Sequence, residues 1–215
     1  MKEVQRESMM YQRKALAILC LLLAPSCLLF GLFGLNQNLP GWYMSISATY
    51  YASSKVFMIG LLYAISVFFI SYTGYDWKDR VVAIIEAISA LGVVVFPCST
   101  PGIPNNVGLF NLPVAVSHII HCICASVLFI TFDFNVLVLF RKSGPEPTEK
   151  KKLRNKIYLA CGIVIAVFII LQGLSGKFTF IPKWFPTTWF NEFIMLEAFG
   201  FAYLVKSEAI SKLND

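Results

Sequence analysis

Charge is scarce in this chain. Asp, Glu, Lys and Arg make up 14% of the 215 residues against 57% hydrophobic, where a soluble domain carries roughly 25% charge. That balance excludes an ordinary water-soluble globule, and the apolar residues fall into long runs instead of the short stripes of a soluble core. Histidine is scarcer still, with two in the whole sequence, so a three-His zinc site and an HExxH protease helix are both excluded. No polar stretch is long enough for an appended soluble domain. No internal repeat suggests an inverted-repeat transporter, and no ring-forming loop motif suggests a channel filter.

What the sequence does contain is bilayer-length hydrophobic runs. A helix rising 1.5 Å per residue crosses a hydrocarbon core of roughly 30 Å in about 20 residues, with its backbone hydrogen bonds satisfied internally. Six segments predict such helices: Ala15 to Leu35, Ser54 to Thr73, Val81 to Phe96, Pro113 to Phe140, Ile157 to Ser175 and Trp189 to Val205. The expected fold is all-α, a single transmembrane domain over 1–215 forming a six-helix bundle. The first run is too long for the h-region of a signal peptide, which spans about 7 to 15 residues, so it is read as a retained helix.

Lys and Arg fix the expected orientation, because they are held on the cytoplasmic side during insertion. Fifteen of the 18 fall in the two tails and the second and fourth connections; the alternate connections hold Lys55, Lys177 and Lys183. Both termini are therefore expected in the cytoplasm, with 141–156 as a basic cytoplasmic linker. This asymmetry accounts for the net charge of +6 through topology and anionic lipid heads, so the Lys150-Lys151-Lys152 run implies no nucleic acid. The bias, without an organelle signal, fits a bacterial inner membrane.

The opposite connections are aromatic, Pro-rich and nearly uncharged. Trp42, Tyr43, Tyr50, Tyr51, Trp184 and Trp189 occupy positions suited to an interfacial belt, with Pro101, Pro104, Pro182 and Pro186 beside them. Five of the six cysteines fall within predicted helices and read as small packing residues; Cys98 lies outside, where it is expected to meet an impermeant thiol reagent from the outer face. Gly60 with Ala64, the Ala83, Glu86, Ala87, Ala90 stripe, and Gly162 with Ala166 supply small surfaces for helix contacts. Pro25 favours a kink in the first helix.

Ionisable residues inside the runs carry the functional expectations, since each costs at least about 2.5 kcal/mol in hydrocarbon unless paired, protonated or wet. His118 and His121 share a face of the fourth helix, three residues apart. Glu192 and Glu197 lie in the outer half of the sixth, about 140° apart, so one of them at most faces the histidines. His118, His121 and Glu197 are the candidate catalytic or metal set, in which zinc would activate a water for hydrolysis. The plain alternative is that a histidine donates a hydrogen bond across the bundle and Glu192 is a first-turn acid. Glu86 and Asp133, nearer the cytoplasm, either neutralise snorkelling Lys or Arg or relay protons in a carrier. Glu86, Asp133 and Glu192 are the candidate binding residues.

The segment SISATYYASSKVFMIG leading into the second helix, and a fourth helix in which His121 is followed by Ala125 and Phe129, resemble the DRAM/Frag/Sfk-type six-helix membrane proteins and their uncharacterised bacterial relatives. The resemblance implies a six-helix bundle with no established catalytic set to carry over. It differs from membrane ceramidase-like hydrolases, whose late HxxxH has no counterpart in the sixth helix. The expectation is thus a non-enzymatic bundle binding membrane lipids or a membrane-protein partner, without a cofactor. A zinc-dependent intramembrane lipid hydrolase and a proton-coupled carrier are the alternatives.

Overall fold

The computed structural model describes residues 3–34, 38–175 and 184–214. Six helices account for most of them: α1 (Glu3–Phe33), α2 (Lys55–Ser71), α3 (Trp77–Val95), α4 (Val114–Phe134), α5 (Glu149–Leu174) and α6 (Thr187–Lys206). Among the described residues the only strands are Asn106–Val107 and Leu112–Pro113, paired antiparallel in a small hairpin. Each helix packs on its neighbours in sequence and α1 closes the ring on α6, while the α4–α5 seam is thin. The chain termini share one end of the bundle, where Arg6 pairs with Glu208 at 2.9 Å. The hairpin marks the opposite end.

Three helices are long and apolar enough to cross a membrane, by length and composition: Arg6–Phe33, Val114–Leu139 and Glu149–Leu174. The others fall short for different reasons. α2 has 17 residues, α3 begins with Lys78, Asp79 and Arg80 and carries Glu86, and α6 carries Glu192 and Glu197. Every helix nonetheless turns a large apolar side chain outward, among them Leu22, Val67, Ile88, Ile123, Ile170 and Phe201. Arg13, Glu86, Ser117, His121, Asn135 and Glu192 are buried inside. Apolar outside and polar within is the arrangement that suits lipid as solvent.

Two expected boundaries are corrected. α1 begins at Glu3, not Ala15, so Arg13 is a fully buried side chain and not part of a basic tail. α5 begins at Glu149, not Ile157, because Thr148 Oγ1 accepts from Lys151 N at 3.1 Å and caps it. The stretch 141–156 is therefore only in part a linker; Lys150, Lys151 and Lys152 lie on the first helical turn. Hydropathy misses both starts, since Glu, Lys and Arg lower it while remaining good helix formers. Leu35, Lys2, Lys177, Pro182 and Lys183 lie outside the described residues.

Small residues act unevenly. A Cβ on Gly200 would meet Leu21 Cγ at 2.8 Å and the Ala17 carbonyl at 3.3 Å, so α1 and α6 approach closely there. Gly162 faces Leu137, and the stripe Ala83, Glu86, Ala87, Ala90 is buried throughout. Gly60, by contrast, faces open space, so the expected contact through Gly60 is not made. Pro25 lies inside an α1 that continues to Phe33.

At the centre, Phe132 of α4 stacks on Phe199 of α6 with centroids 3.6 Å apart and planes 7° from parallel. Phe69 of α2 and Tyr203 of α6 pack around the pair. One turn beyond Phe132 the hydrogen bonding widens to a π turn at Asn135–Leu139, with Phe140 N donating to the Asn135 carbonyl at 2.9 Å. Such turns relocate backbone groups; here the Phe140 carbonyl accepts from Lys151 Nζ at 3.0 Å and Lys206 Nζ at 3.3 Å.

At the termini end the α2–α3 turn depends on Gly74, whose φ of 66° suits glycine and whose missing Cβ leaves room for Asp79. Asp76 caps α3 through Lys78 N and Asp79 N, and Lys142 Nζ bridges Asp76 at 2.8 Å and Asp79 at 2.9 Å. The Lys142 hydrogen bond holds the Asp76 carboxyl below its ordinary value. A depressed carboxyl contributes stability above its unfolded value and loses it as pH falls through the folded one. Thermal unfolding in detergent should therefore fall more steeply below about pH 4 in the parent than in Lys142→Met. Identical slopes would show that the bridge contributes nothing.

Candidate functional site: a roofed cavity at the hairpin end

A cavity of about 780 Å³ lies between α4, α5 and α6, roofed by 44–48 and 98–101. Its polar lining includes His118, His121, Glu192, Gln172 and Thr188; Phe129, Ile130, Ile169 and Met195 make it apolar deeper in. The Phe132–Phe199 stack, one turn below Phe129 and Met195, closes the floor.

The roof is tied to the walls by hydrogen bonds from side chains to backbone. α3 ends with carbonyls that lack helical partners, and α4 supplies donors for them. Ser117 Oγ donates to the Pro97 carbonyl at 2.9 Å, and His121 Nδ1 bonds the Phe96 carbonyl at 2.8 Å. Ser99 N donates to His118 Nδ1 at 3.1 Å. On the other wall Glu192 Oε2 accepts from Ile46 N at 2.7 Å, and Trp189 N donates to the Met44 carbonyl at 3.0 Å. Thr100 Oγ1 donates to the Pro40 carbonyl at 3.2 Å and Tyr51 OH to the Cys98 carbonyl at 2.9 Å.

These partners assign opposite tautomers to the two histidines. A carbonyl only accepts, so His121 carries its proton on Nδ1 and presents Nε2 as a lone pair. His118 accepts at Nδ1, so its proton is on Nε2, 3.7 Å from Cys122 Sγ. A metal needs a ring nitrogen with a free lone pair, and His118 has none in this arrangement. Glu197 is also misplaced for the expected set. It shares a face of α6 with Gly200 toward α1, does not line the cavity, and its Oε1 is buried without a hydrogen-bond partner. Among the described residues no three His, Cys, Asp or Glu side chains converge as a metal-ion shell. The donor set His118, His121, Glu197 does not fit zinc.

The carboxylate brought to the histidines is Glu192. Glu192, Met195, Leu196, Phe199 and Tyr203 follow one buried stripe at spacings of three and four, from which Glu197 departs. Glu86 and Asp133 are not brought together either. Glu86, fully buried, accepts from Asn135 Nδ2 at 3.1 Å, and the same Nδ2 lies 3.3 Å from Tyr203 OH. Its partner is an amide, not the expected Lys or Arg. Asp133, two residues from Asn135 and so on another face, keeps Oδ1 buried with no hydrogen-bond partner. Asn135 was missed because a single Asn at the end of an apolar run gives no periodic signal.

Nearer the termini, Arg13 donates to Tyr72 OH at 2.9 Å and Tyr75 OH at 3.1 Å, with its guanidinium 4.7 Å from the Tyr75 ring centre. Lys206 lies 5.4 Å from the same ring. Tyrosine hydroxyls and ring faces thus replace a carboxylate as the surroundings of a buried cation.

No family model, curated protein or solved structure matches the chain.

Cys98 lines the cavity but is only 5% exposed, and burial pushes its thiol up to about 12. Both features oppose the expected ready labelling, because the thiolate is the nucleophile. In a variant retaining Cys98 alone, maleimide labelling at pH 8 should run at least about a hundredfold slower folded than unfolded, each pKa unit being tenfold. Equal rates would show that the roof does not shield it.

Proposed function

We propose that this chain is a six-span membrane protein, both termini cytoplasmic, that binds a single-chain amphiphile in the roofed cavity and performs no chemistry on it. The orientation rests on the distribution of Lys and Arg, which also favours the inner membrane of a bacterium, and the six-span architecture is the one that the resemblance to the DRAM/Frag/Sfk-type bundles implies. On this reading the cavity opens in the outer leaflet.

The observation that carries the binding reading is the gradient within one cavity. Polar groups cluster under the roof and an apolar wall of Phe129, Ile130, Ile169 and Met195 runs inward from them. An amphiphile in the outer leaflet is oriented the same way, head at the interface and chain toward the midplane. A volume near 780 Å³ falls within the roughly 300–1,000 Å³ of small-molecule sites, a size for one chain and a compact head.

Gly173 offers a direct test. It lines the cavity, and a Cβ there meets nothing within 4 Å. Gly173→Trp should fill the space without a backbone clash. Native mass spectrometry of the parent is expected to show one bound amphiphile, and the variant should lose it with its melting temperature unchanged or raised. Retention of the ligand in a folded Gly173→Trp protein would place the binding elsewhere.

A second reading, a proton-coupled carrier, is supported by the sequestered Glu86–Asn135–Tyr203 cluster beside the π turn. An ionisable group in such a place is a proton site by default. It assigns Glu86 and not Asp133 as the carrier group. In proteoliposomes carrying an imposed pH gradient, Glu86→Gln should abolish proton flux while Asp133→Asn leaves it intact; flux surviving in Glu86→Gln removes this reading.

A further inference from the structure

We infer that the head of the bound amphiphile is a protonated primary amine, received by the Glu192 carboxylate and the Nε2 lone pair of His121. The inference rests on the binding reading above and concerns what the polar end of that cavity selects.

Once the roof is tied, few polar atoms of the lining are left over. Glu192 takes Ile46 N on Oε2 and is also bonded by the Ser47 backbone, so what it has to offer a ligand is the lone pairs of its two oxygens that those bonds leave. His121 uses Nδ1 for the Phe96 carbonyl, which makes Nε2 an acceptor. Gln172 is engaged at both ends, Oε1 accepting from Asn191 Nδ2 at 2.9 Å and Nε2 donating to Thr188 Oγ1 at 3.2 Å, which leaves one Nε2 N–H. The His118 Nε2 proton faces Cys122 Sγ. Beside that one Gln172 N–H, the groups that remain with fixed roles are the acceptors on Glu192 and His121, and serine hydroxyls such as Ser126 adapt to either role. A head rich in donors fits; a head made of acceptors does not.

Charge points the same way. Among the described residues lining the cavity, Glu192 is the sole Asp, Glu, Lys or Arg. A carboxylate held in an apolar wall without a cation is costly, and a ligand ammonium would supply the missing charge together with three N–H donors. A phosphate, sulfate or carboxylate head would place a second anion against Glu192 with no Arg or Lys from the described lining to offset it. A hydroxyl head would satisfy one acceptor and leave the charge alone. The apolar wall then takes an unbranched chain of about a dozen carbons, given a site of small-molecule size.

The test uses the full chain, delipidated in a neutral maltoside detergent, with dodecylamine, dodecyltrimethylammonium, dodecanol and dodecyl sulfate as probes at pH 7.5. Binding is read by equilibrium dialysis. Dodecylamine is expected to bind at least tenfold tighter than each of the others; dodecyltrimethylammonium is weaker for lack of N–H donors. Glu192→Gln should bring dodecylamine to the dodecanol level and leave dodecanol unchanged. Its amide oxygen still accepts from Ile46 N, and an unaltered melting temperature checks the fold.

If the four probes bind alike, or dodecyl sulfate binds tightest, and Gly173→Trp blocks them all, the amine assignment is wrong and the cavity reading survives. If no probe binds saturably, or Gly173→Trp blocks none, the cavity reading itself falls. Should Glu192→Gln fail to fold, the ranking of dodecylamine against dodecyltrimethylammonium on the parent still decides the matter, because equal affinity removes the hydrogen-bonded ammonium.

Discussion

The Phe132–Phe199 stack is the contact on which the rest of the bundle depends. Two rings 3.6 Å apart, from helices that otherwise touch little, hold α4 to α6 across the centre. Helices in lipid gain nothing from hydrophobic exclusion between them, so packing at such points decides where they meet. Toward the hairpin the two helices separate and leave the roofed cavity. Toward the termini the same axes carry Asn135 and Tyr203 against Glu86. The plug therefore divides the interior into a roomy polar–apolar chamber and a tightly filled polar cluster.

Above the plug, most polar side chains are used to hold backbone. Ser117, His118 and His121 take backbone groups just past the end of α3, and Glu192 takes Ile46 N beside a backbone bond from Trp189 N to the Met44 carbonyl. Backbone groups buried near lipid must find partners, and α4 and α6 provide them in place of water. The consequence for chemistry is selective: each histidine has one nitrogen assigned by a backbone partner, so the remaining nitrogen is a donor in one and an acceptor in the other. In that assignment the pair offers one donor and one acceptor, and not the two free lone pairs that would grip one metal.

Below the plug, the structure handles charge without pairing it in the expected way. Glu86 is held by an amide, Arg13 by two phenol hydroxyls, and Lys206 by a carbonyl that the π turn exposes. Among the described residues, carboxylate–cation bridges lie near the helix ends, at Lys142 with exposed Asp76 and buried Asp79, at Arg6 with Glu208 and at Lys152 with Glu149. Ion pairs at the surface contribute little to stability, and the interior is organised by neutral hydrogen bonds and ring contacts.

The sequence by itself determined that the chain is helical and carries helices apolar enough to cross a membrane, because hydropathy and run length depend only on residue type. It also placed the histidines on one face of α4 and put one glutamate at most toward them, because helical phase depends only on spacing. Tertiary structure alone decided that the glutamate is Glu192, that Glu197 turns toward α1, and that Glu86 meets Asn135. Arg13 read as part of a solvated tail and is buried; Cys98 read as a free outer thiol and is buried within the roof. Each of these outcomes turns on how one helix is rotated against another, and that rotation is set by contacts such as Phe132 on Phe199 and Gly200 on Leu21, which join residues far apart in the chain.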